Sequence, residues 1–347
     1  MRNGPTFCDK MQPLCPEDAR SLELPKTLNS LMKHLRRSGV AIGGSAQKRK
    51  LKNIGYYHGY KGYRFAGKAS NRLPLTDFSQ VAALYDFDAQ LKALFYPRVM
   101  QIETALKNYT LEAVLRDAGS EAFEGIWRRS LTGYRGHTGG AYRKAWEKRQ
   151  RLRGEIDGLI FRNHSSRDVI GHFRDADKDV PIWAIFEVMT LGNFGSFYEC
   201  LDKRVQASVV RDLGMPTNLE SERRLKDIIY ALKDLRNAVA HNGVVLDVRF
   251  RSGAVSSGVA RLIEQETGIR GVDFSDITDY VVLIVYLMGL MGLTKTERRQ
   301  FLVGYETVLE RFYAELPFNV YSKIVKTSAR GKVAAARRYV GGGCGKR

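Results

Sequence analysis

Apolar side chains recur along most of this chain at the three- and four-residue spacing of amphipathic helices. The first such stripe ends at Gly39 and consists of Leu28, Leu31, Met32 and Leu35. The spacing then predicts one or two long helices over residues 77–117, bent or broken near Pro97, because proline cannot donate a helical hydrogen bond. A looser glycine-rich stretch at 119–140 precedes a basic helix at 141–153.

The second half of the chain continues the helical pattern. The predicted ranges are 166–174, 182–191, 194–213, 218–242, 276–293 and 296–316. A break is expected at Gly192, and residues 244–250 are expected to be a short extended piece. No internal repeat of fixed period interrupts this series. The predicted fold class is therefore all-α, a helical bundle with a basic N-terminal extension.

Composition places this bundle in a reducing, water-filled compartment. The chain has 347 residues, 44% of them hydrophobic, which is enough for a sizeable core. The N-terminus lacks the apolar core of a signal peptide, and the longest apolar run, residues 280–293, is shorter than the roughly 20 residues that a bilayer requires. None of the cysteines forms a CxxC pair; they are Cys8, Cys15, Cys200 and Cys344. We expect a cytoplasmic protein without membrane contact, metal or cofactor.

The net charge of +19 is concentrated in two segments. Residues 26–76 contain twelve Lys or Arg and no acid, and residues 317–347 contain eight and no acid. Positive charges concentrated in this way repel one another unless a polyanion binds, and nucleic acid is the commonest polyanionic partner. For the C-terminal segment, a disordered basic tail is an equally good interpretation.

In the N-terminal segment the cations alternate with aromatic side chains. Aromatic rings can stack on unpaired bases while cations hold phosphates, so single-stranded or structured RNA is the expected partner. The candidate RNA-binding residues are Lys48, Arg49, Lys50, Lys52, Tyr56, Tyr57, His58, Lys61, Tyr63, Arg64 and, farther along the chain, Lys233. In the alternative interpretation, Ile54, Tyr57 and Tyr60 pack a small subdomain whose glycines supply turns.

The stretch LKDLRNAVAHNG, residues 232–243, carries the candidate chemistry. A helical wheel places a core stripe on one side, made of Leu225, Ile228, Leu232, Leu235 and Val239. Lys233, Asn237 and His241 follow one another at four-residue spacing on the other side, next to Arg236. We expect Asn237 to hydrogen-bond the His241 ring, and Asn242–Gly243 to end the helix so that His241 lies in its last turn.

These groups suit RNA cleavage without a metal. A histidine can take the proton of the ribose 2′-hydroxyl or protonate the leaving oxygen, while a guanidinium stabilises the phosphorane-like transition state. Because cleavage uses both an acid and a base, two copies of His241 across a twofold axis would complete the site, which predicts a homodimer. A solvated helix face is the alternative. A second Arg and His at the same spacing, Arg167 and His172, are expected only to pack locally.

Several motifs resemble known families. RNAVAH at 236–241 is similar to the RNxxxH signature of HEPN ribonucleases. LKNIGYYHGYKGYRF at 51–65, LYDFDAQLKALFYPRVMQIETALKN at 84–108 and VPIWAIFEVMTLGNFGSFYECL at 180–201 resemble successive blocks of Abi-like phage-resistance proteins of the AbiD/AbiF type. The resemblance spans roughly residues 28–315.

The resemblance implies a HEPN-type helical bundle, a metal-independent endoribonuclease and a role in abortive infection. Arg236 and His241 would be catalytic and Asn237 supporting. Glu103 matches an acidic position that would orient Arg236 or His241; an ordinary surface pair with Lys107 is the alternative. Some relatives are restrained by a small structured RNA, which the basic segment would also suit. The competing function is a non-catalytic RNA-binding scaffold.

The predicted organisation has four parts. They are a flexible N-terminus at 1–25, a basic RNA-binding subdomain at 26–76, the HEPN-type helical domain at 77–316 and a basic C-terminal tail at 317–347.

Overall fold

The computed structural model describes residues 27–163, 169–217 and 220–342. Within these ranges the chain forms fifteen α-helices, a π-helical turn and a 3-10 turn, and β-structure is limited to isolated bridges. The predicted all-α fold class is confirmed. The predicted flexible segment 1–25, the first residues of the helix predicted at 166–174, Arg167, Cys8, Cys15 and Cys344 lie outside the described residues.

The helices are numbered in chain order. In the first half they are α1 (Leu28–Arg37), α2 (Gly44–Tyr56), α3 (Phe78–Ala118), α4 (Phe123–Arg129), α5 (Gly139–Arg162), α6 (Val169–Asp175), α7 (Ile182–Val188) and α8 (Leu191–Cys200). In the second half they are α9 (Lys203–Asp212), α10 (Ser221–Ala240), α11 (Ser257–Thr267), α12 (Ile277–Leu290), α13 (Lys295–Glu315), α14 (Phe318–Tyr321) and α15 (Ala329–Gly341). The π-helical turn is Tyr57–Lys61 and the 3-10 turn is Gly133–Gly136.

The first of two compact units comprises, among the described residues, 27–64 and 74–82. Its helix α1 starts after Thr27, whose hydroxyl accepts a hydrogen bond from the Ser30 amide at 3.1 Å. It ends before Gly39, whose φ of +84° lies in the left-handed region. Two backbone hydrogen bonds, from Ala41 to Thr76 and from Phe78 to Ala41, close the unit.

The second unit comprises 65–73 and the described residues from 83 onward. The short segment 65–73 belongs here rather than to the predicted subdomain 26–76. Its Gly67 amide donates to Asp247 at 2.8 Å, and its Asn71 side chain accepts from Lys323 at 3.2 Å. At the centre of this unit lies α12, in which every side chain from Ile277 to Met288 is buried. The apolar run at 280–293 is thus mainly a core helix, and no helix in the described ranges is long and apolar enough to cross a membrane.

The structure differs from several local predictions. The chain remains helical through Pro97, which is exposed, so water can reach the carbonyl that loses its helical donor. Thr190 caps α8 through the Asn193 amide, so the break precedes Gly192. Residues 244–250 form turns instead of an extended piece. Helices α2 and α11 were not predicted, although Gly55 in α2 does adopt a non-helical conformation, with φ of +71°.

The basic C-terminal segment is folded as far as residue 342, and the disordered-tail interpretation is wrong for residues 317–342. Helix α15 buries an apolar stripe at helical spacing, made of Ala329, Val333, Ala336 and Val340. Lys332 is buried with it, and its ammonium group contacts the carboxylates of Asp279 and Asp276 at the start of α12. This cation is therefore neutralised within the fold by acids from another helix.

Candidate active site

Arg236 on α10 is held by a buried carboxylate of α3. Its Nε donates to Oε2 of Glu103 at 3.2 Å, and Glu103 is only 5% exposed. The other oxygen, Oε1, lies 3.0 Å from Nζ of Lys107, which also donates to the Met189 carbonyl at 2.5 Å. Glu103 therefore contacts both Lys107 and Arg236, and because it is buried the predicted ordinary surface pair with Lys107 is wrong.

This arrangement is explained by the packing of two apolar stripes. On α3 the buried side chains around Glu103 are Val99, Ile102 and Leu106. The core stripe predicted for α10 is buried in full. A carboxylate at this depth is tolerated because two cations share it. The guanidinium of Arg236 is fixed at Nε while 25% of its side chain stays exposed, so one edge remains accessible to a phosphate.

His241 stands at the very end of α10. The helix ends at Ala240, and His241 is its C-cap, one residue beyond the predicted last turn. Asn242 follows with φ of +55°, and the Gly243 amide bonds the Ala238 carbonyl at 2.7 Å, which together form a Schellman cap. A Cβ at Gly243 would lie 3.2 Å from the Ala238 Cα, so only glycine fits easily. The Asn-Gly pair thus directs the chain away and leaves the His241 side chain exposed.

The predicted hydrogen bond from Asn237 to the His241 ring is not formed. Within the described residues, the Asn237 side-chain oxygen instead accepts from Nη1 of Arg236 at 3.5 Å. Asn237 is exposed on the same outer face as His241. The structure therefore groups a guanidinium, an amide and an imidazole at one end of α10, with the amide contacting the guanidinium.

Two residues important for this geometry were not singled out from the sequence. Asp88 on α3 is fully buried, and its Oδ1 accepts from the amides of Val245 and Leu246 at 2.7 and 2.9 Å. Lys92, one turn later, places Nζ 2.7 Å from Oδ2 of Asp88 and 2.7 Å from Oδ1 of Asn242. This Asp88–Lys92 clamp fastens the chain immediately after His241. The sequence signal was a lone acid in the apolar stripe with a lysine four residues later.

The candidate RNA-binding residues of the first unit have different environments. Tyr63 is 1% exposed, so its ring cannot stack on a base, and its assignment to the RNA surface was wrong. Tyr60 is also buried, whereas Tyr57 is half exposed. The Tyr56 hydroxyl lies 3.2 Å from Nε2 of His34. In the alternative interpretation both Tyr57 and Tyr60 pack the subdomain. That is confirmed for Tyr60, which is buried, and wrong for Tyr57.

The remaining candidates are basic side chains at the surface. Arg49 and Lys52 on α2 are exposed; the others of the first unit are partly buried, namely Lys48, Lys50, His58, Lys61 and Arg64. Lys233 on α10 lies 3.1 Å from Asp234 and 5.7 Å from the centroid of the Tyr230 ring. The positive charge of Lys233 is thus partly neutralised by the neighbouring Asp234. The described residues contain no group of three or more His, Cys, Asp or Glu side chains that could hold a metal ion.

A family model described as Abi-like protein matches residues 49–247. The chain belongs to the Abi-like protein family. The match begins within α2 and ends just after the loop that the Asp88–Lys92 clamp fastens, so it includes Glu103, Arg236 and His241. No curated protein and no solved structure matches this Abi-like protein. Membership in the family associates the chain with abortive infection, which is the broader part of the function predicted from the sequence.

Proposed function

We propose that this Abi-like protein is a metal-independent endoribonuclease of the HEPN type that acts in abortive infection against phages. The observation that carries the proposal is the end of α10, where an exposed His241 follows an Arg236 that a buried carboxylate holds in place. An oriented guanidinium and an accessible imidazole, five residues apart at the end of one helix, could supply charge stabilisation and proton transfer to the same phosphate.

The proposed reaction is an internal transesterification of RNA. A base removes the proton of a ribose 2′-hydroxyl, and the 2′-oxygen forms a bond to the adjacent phosphorus. The bond from phosphorus to the 5′-oxygen breaks, and that oxygen takes a proton from an acid, leaving a 2′,3′-cyclic phosphate and a 5′-hydroxyl. Arg236 stabilises the extra negative charge on the phosphoryl oxygens, and Asn237 supports its guanidinium.

His241 is the acid or the base of this reaction, and the other role needs a second proton-transfer group. A second copy of the chain, related by a twofold axis, would bring its own His241 to the same phosphate. We therefore include a homodimer in the proposal. We also propose that a structured small RNA binds the basic first unit and restrains the enzyme until infection.

The first test compares the wild type with His241→Ala on labelled RNA in the presence of EDTA, after bound RNA has been removed. His172→Ala is the matched control, because His172 is an exposed histidine on α6 and is not part of the proposed site. We expect the wild type and the control to yield 5′-hydroxyl and cyclic-phosphate ends and His241→Ala to yield none. Tight binding by all three proteins without cleavage would instead support the non-catalytic scaffold.

A further inference from the structure

A basic, aromatic surface lies at the start of α5 and on the 3-10 turn before it, and it includes none of the candidate RNA-binding residues. Residues 133–153 contain seven Lys or Arg and a single acid, Glu147. Tyr142 and Trp146, one helical turn apart, are 42% and 43% exposed. We call residues 133–148 the α5 surface. Exposed rings beside cations are the combination that binds unpaired nucleotides.

The same first turns of α5 line a cavity of about 260 Å³, which also includes the Tyr134 ring that meets Tyr142. The polar and aromatic side chains that line it are Tyr134, His137, Lys144, Lys148, Arg149 and Glu199. Small-molecule sites usually exceed roughly 300 Å³, so this cavity has the size for one base or a phosphate group rather than a large ligand.

Arg149 makes the cavity wall rigid. Its guanidinium lies 3.7 Å from the centroid of the Trp127 ring and 5.1 Å from that of Tyr134. It also donates to the backbone carbonyls of Leu131 at 2.7 Å and Trp127 at 2.6 Å. Tyr134 in turn meets Tyr142 edge to face, with ring centroids 5.5 Å apart. The exposed ring of Tyr142 therefore rests on a preformed support, which lowers the entropy cost of binding.

The cavity is built for binding and has no evident nucleophile. Burial raises the pKa of the Cys200 thiol to about 12, so it stays protonated at neutral pH. Glu199 is already engaged: Lys148 lies 2.6 Å from its Oε1, and the Tyr230 hydroxyl donates to its Oε2 at 3.2 Å. The cations that remain without an acidic partner in the described ranges include Arg143 and Lys144.

Glu199 also connects the cavity to the candidate active site. Its partner Tyr230 lies on α10, seven residues before Asn237 and eleven before His241, which places all three on one face of the helix. At 1.5 Å per residue, Tyr230 and His241 are roughly 16 Å apart along the axis. A strand whose phosphate is at His241 can therefore follow α10 to the cavity within a few nucleotides.

We propose that the α5 surface binds single-stranded RNA, with Trp146 and Tyr142 stacking on bases and Arg143 and Lys144 neutralising phosphates. This inference rests on the proposed function and adds to it the place where the substrate strand is anchored. Duplex RNA fits less well because its base faces are covered. A second copy of the chain also fits less well, since two α5 surfaces of the same charge would repel each other.

The test measures binding of a labelled oligouridine to full-length protein in the His241→Ala background, where no cleavage disturbs the equilibrium. Trp146→Ala is compared with Trp183→Ala, which removes another exposed tryptophan, on α7. The double variant Arg143→Ala/Lys144→Ala is compared with Arg261→Ala/Arg270→Ala, which removes the same charge from exposed positions elsewhere. Thermal unfolding of each variant checks that the fold is retained.

We expect Trp146→Ala to weaken binding about 5- to 150-fold, the range for loss of one stacked base. Removing Arg143 and Lys144 should make the slope of log affinity against log salt shallower by about 1.4, or 0.7 per phosphate contact. Both control variants should bind like the parent. The proposal is overturned if the α5 variants bind like their controls, or if a blunt RNA duplex competes as well as oligouridine.

A changed oligomeric mass of Trp146→Ala without RNA would also overturn it, in favour of contact between copies. The outcome of the binding measurement does not depend on the outcome of the cleavage test. A wild type that never cleaves RNA would reject the proposed function, whereas the binding measurement would still decide the role of the α5 surface.

Discussion

Glu103 holds two cations with one carboxylate, and its burial makes that arrangement rigid. Arg236 binds Oε2 and Lys107 binds Oε1, while the carboxylate itself is almost inaccessible to water. A guanidinium fixed in this way does not need to be ordered when substrate arrives. Glu103 is thus a positioning residue in the proposed enzyme, since it acts through Arg236 and does not face the exposed end of α10.

Glu103→Gln keeps the shape of the side chain and removes its charge. We expect the cleavage rate at saturating RNA to fall about 10- to 100-fold, because Arg236 is less well placed, while KM changes little. The unfolding free energy should fall by ~1–3 kcal/mol, the cost of removing a charged hydrogen-bond partner. Kinetics and denaturant unfolding measure the two effects.

The control is Glu112→Gln on the same helix, where the glutamate is 77% exposed and its arginine partner is 4.0 Å away. Neither quantity should change there, since exposed ion pairs contribute little. Wild-type kinetics in Glu103→Gln would show that this carboxylate serves the fold alone.

At the scale of elements, α3 is the support against which the end of α10 is built. Glu103 binds Arg236 before the helix ends, and the Asp88–Lys92 clamp binds the chain just after it. His241 therefore lies between two attachment points on one helix. The clamp should restrict where the His241 backbone can move, although it does not touch the imidazole.

Asn242 allows the helix cap and the clamp to be tested separately. Asn242→Gly accepts the left-handed conformation but loses the hydrogen bond to Lys92, so we expect a slower reaction with almost unchanged stability. Asn242→Ala loses the same bond and also forces an alanine to φ near +55°, which should cost ~1–2 kcal/mol more. Cleavage rates and unfolding curves are the measurements. If Asn242→Gly cleaves at the wild-type rate, Lys92 does not help to place His241.

The contact between α12 and α15 predicts a pH dependence of stability. Burial raises the pKa of Asp279 to about 6, above the 3.8 of an aspartate in the unfolded chain, although Lys332 opposes the shift. Between these values the folded protein holds a proton that the unfolded chain has lost. This contribution is therefore complete below about pH 4 and is lost as the pH rises through 6.

Asp279→Asn should remove this contribution. Relative to that variant, the wild type should lose stability as the pH rises from about 4 to about 6, by at most ~1.4 kcal/mol per unit, and the difference should level off above that range. Denaturant unfolding of both proteins at several pH values measures the difference in slope. Parallel curves would show that Asp279 ionises in the fold as readily as in the unfolded chain.

At the scale of the whole molecule, the proposed chemistry requires more than one chain. A single His241 provides either the acid or the base, and a paired site would contain both. Mixing the wild type with an equal amount of His241→Ala therefore separates the two arrangements. After subunit exchange, random pairing leaves about a quarter of the dimers with His241 in both chains. Activity should therefore fall to about a quarter of that of the wild type at the same total protein concentration.

The same mixing with His172→Ala is the control and should leave activity unchanged. Activity that falls only to half would mean that each chain cleaves on its own. Sedimentation of the mixture before the assay establishes that the copies associate.

Much of this molecule was predictable because it depends on neighbours along the chain. The apolar spacing identified α1, α3, α10, α12 and α13, and the core stripe of α10 determined which side of that helix faces outward. The stripe of α15 was equally readable, but its basic composition concealed it. Asn-Gly after His241 predicted the end of this helix to within two residues. Family membership also followed from motifs that are contiguous in the sequence.

Contacts between distant residues were decided only by the tertiary structure. Glu103 meets Arg236 across 133 residues and Lys92 meets Asn242 across 150, and no local pattern specifies such pairs. The burial of Tyr63 and the pairing of Lys332 with Asp279 are of the same kind. Periodicity determines which face of a helix is apolar, since it is a property of one segment. Packing determines which polar groups are brought together, because that depends on the positions of all the helices at once.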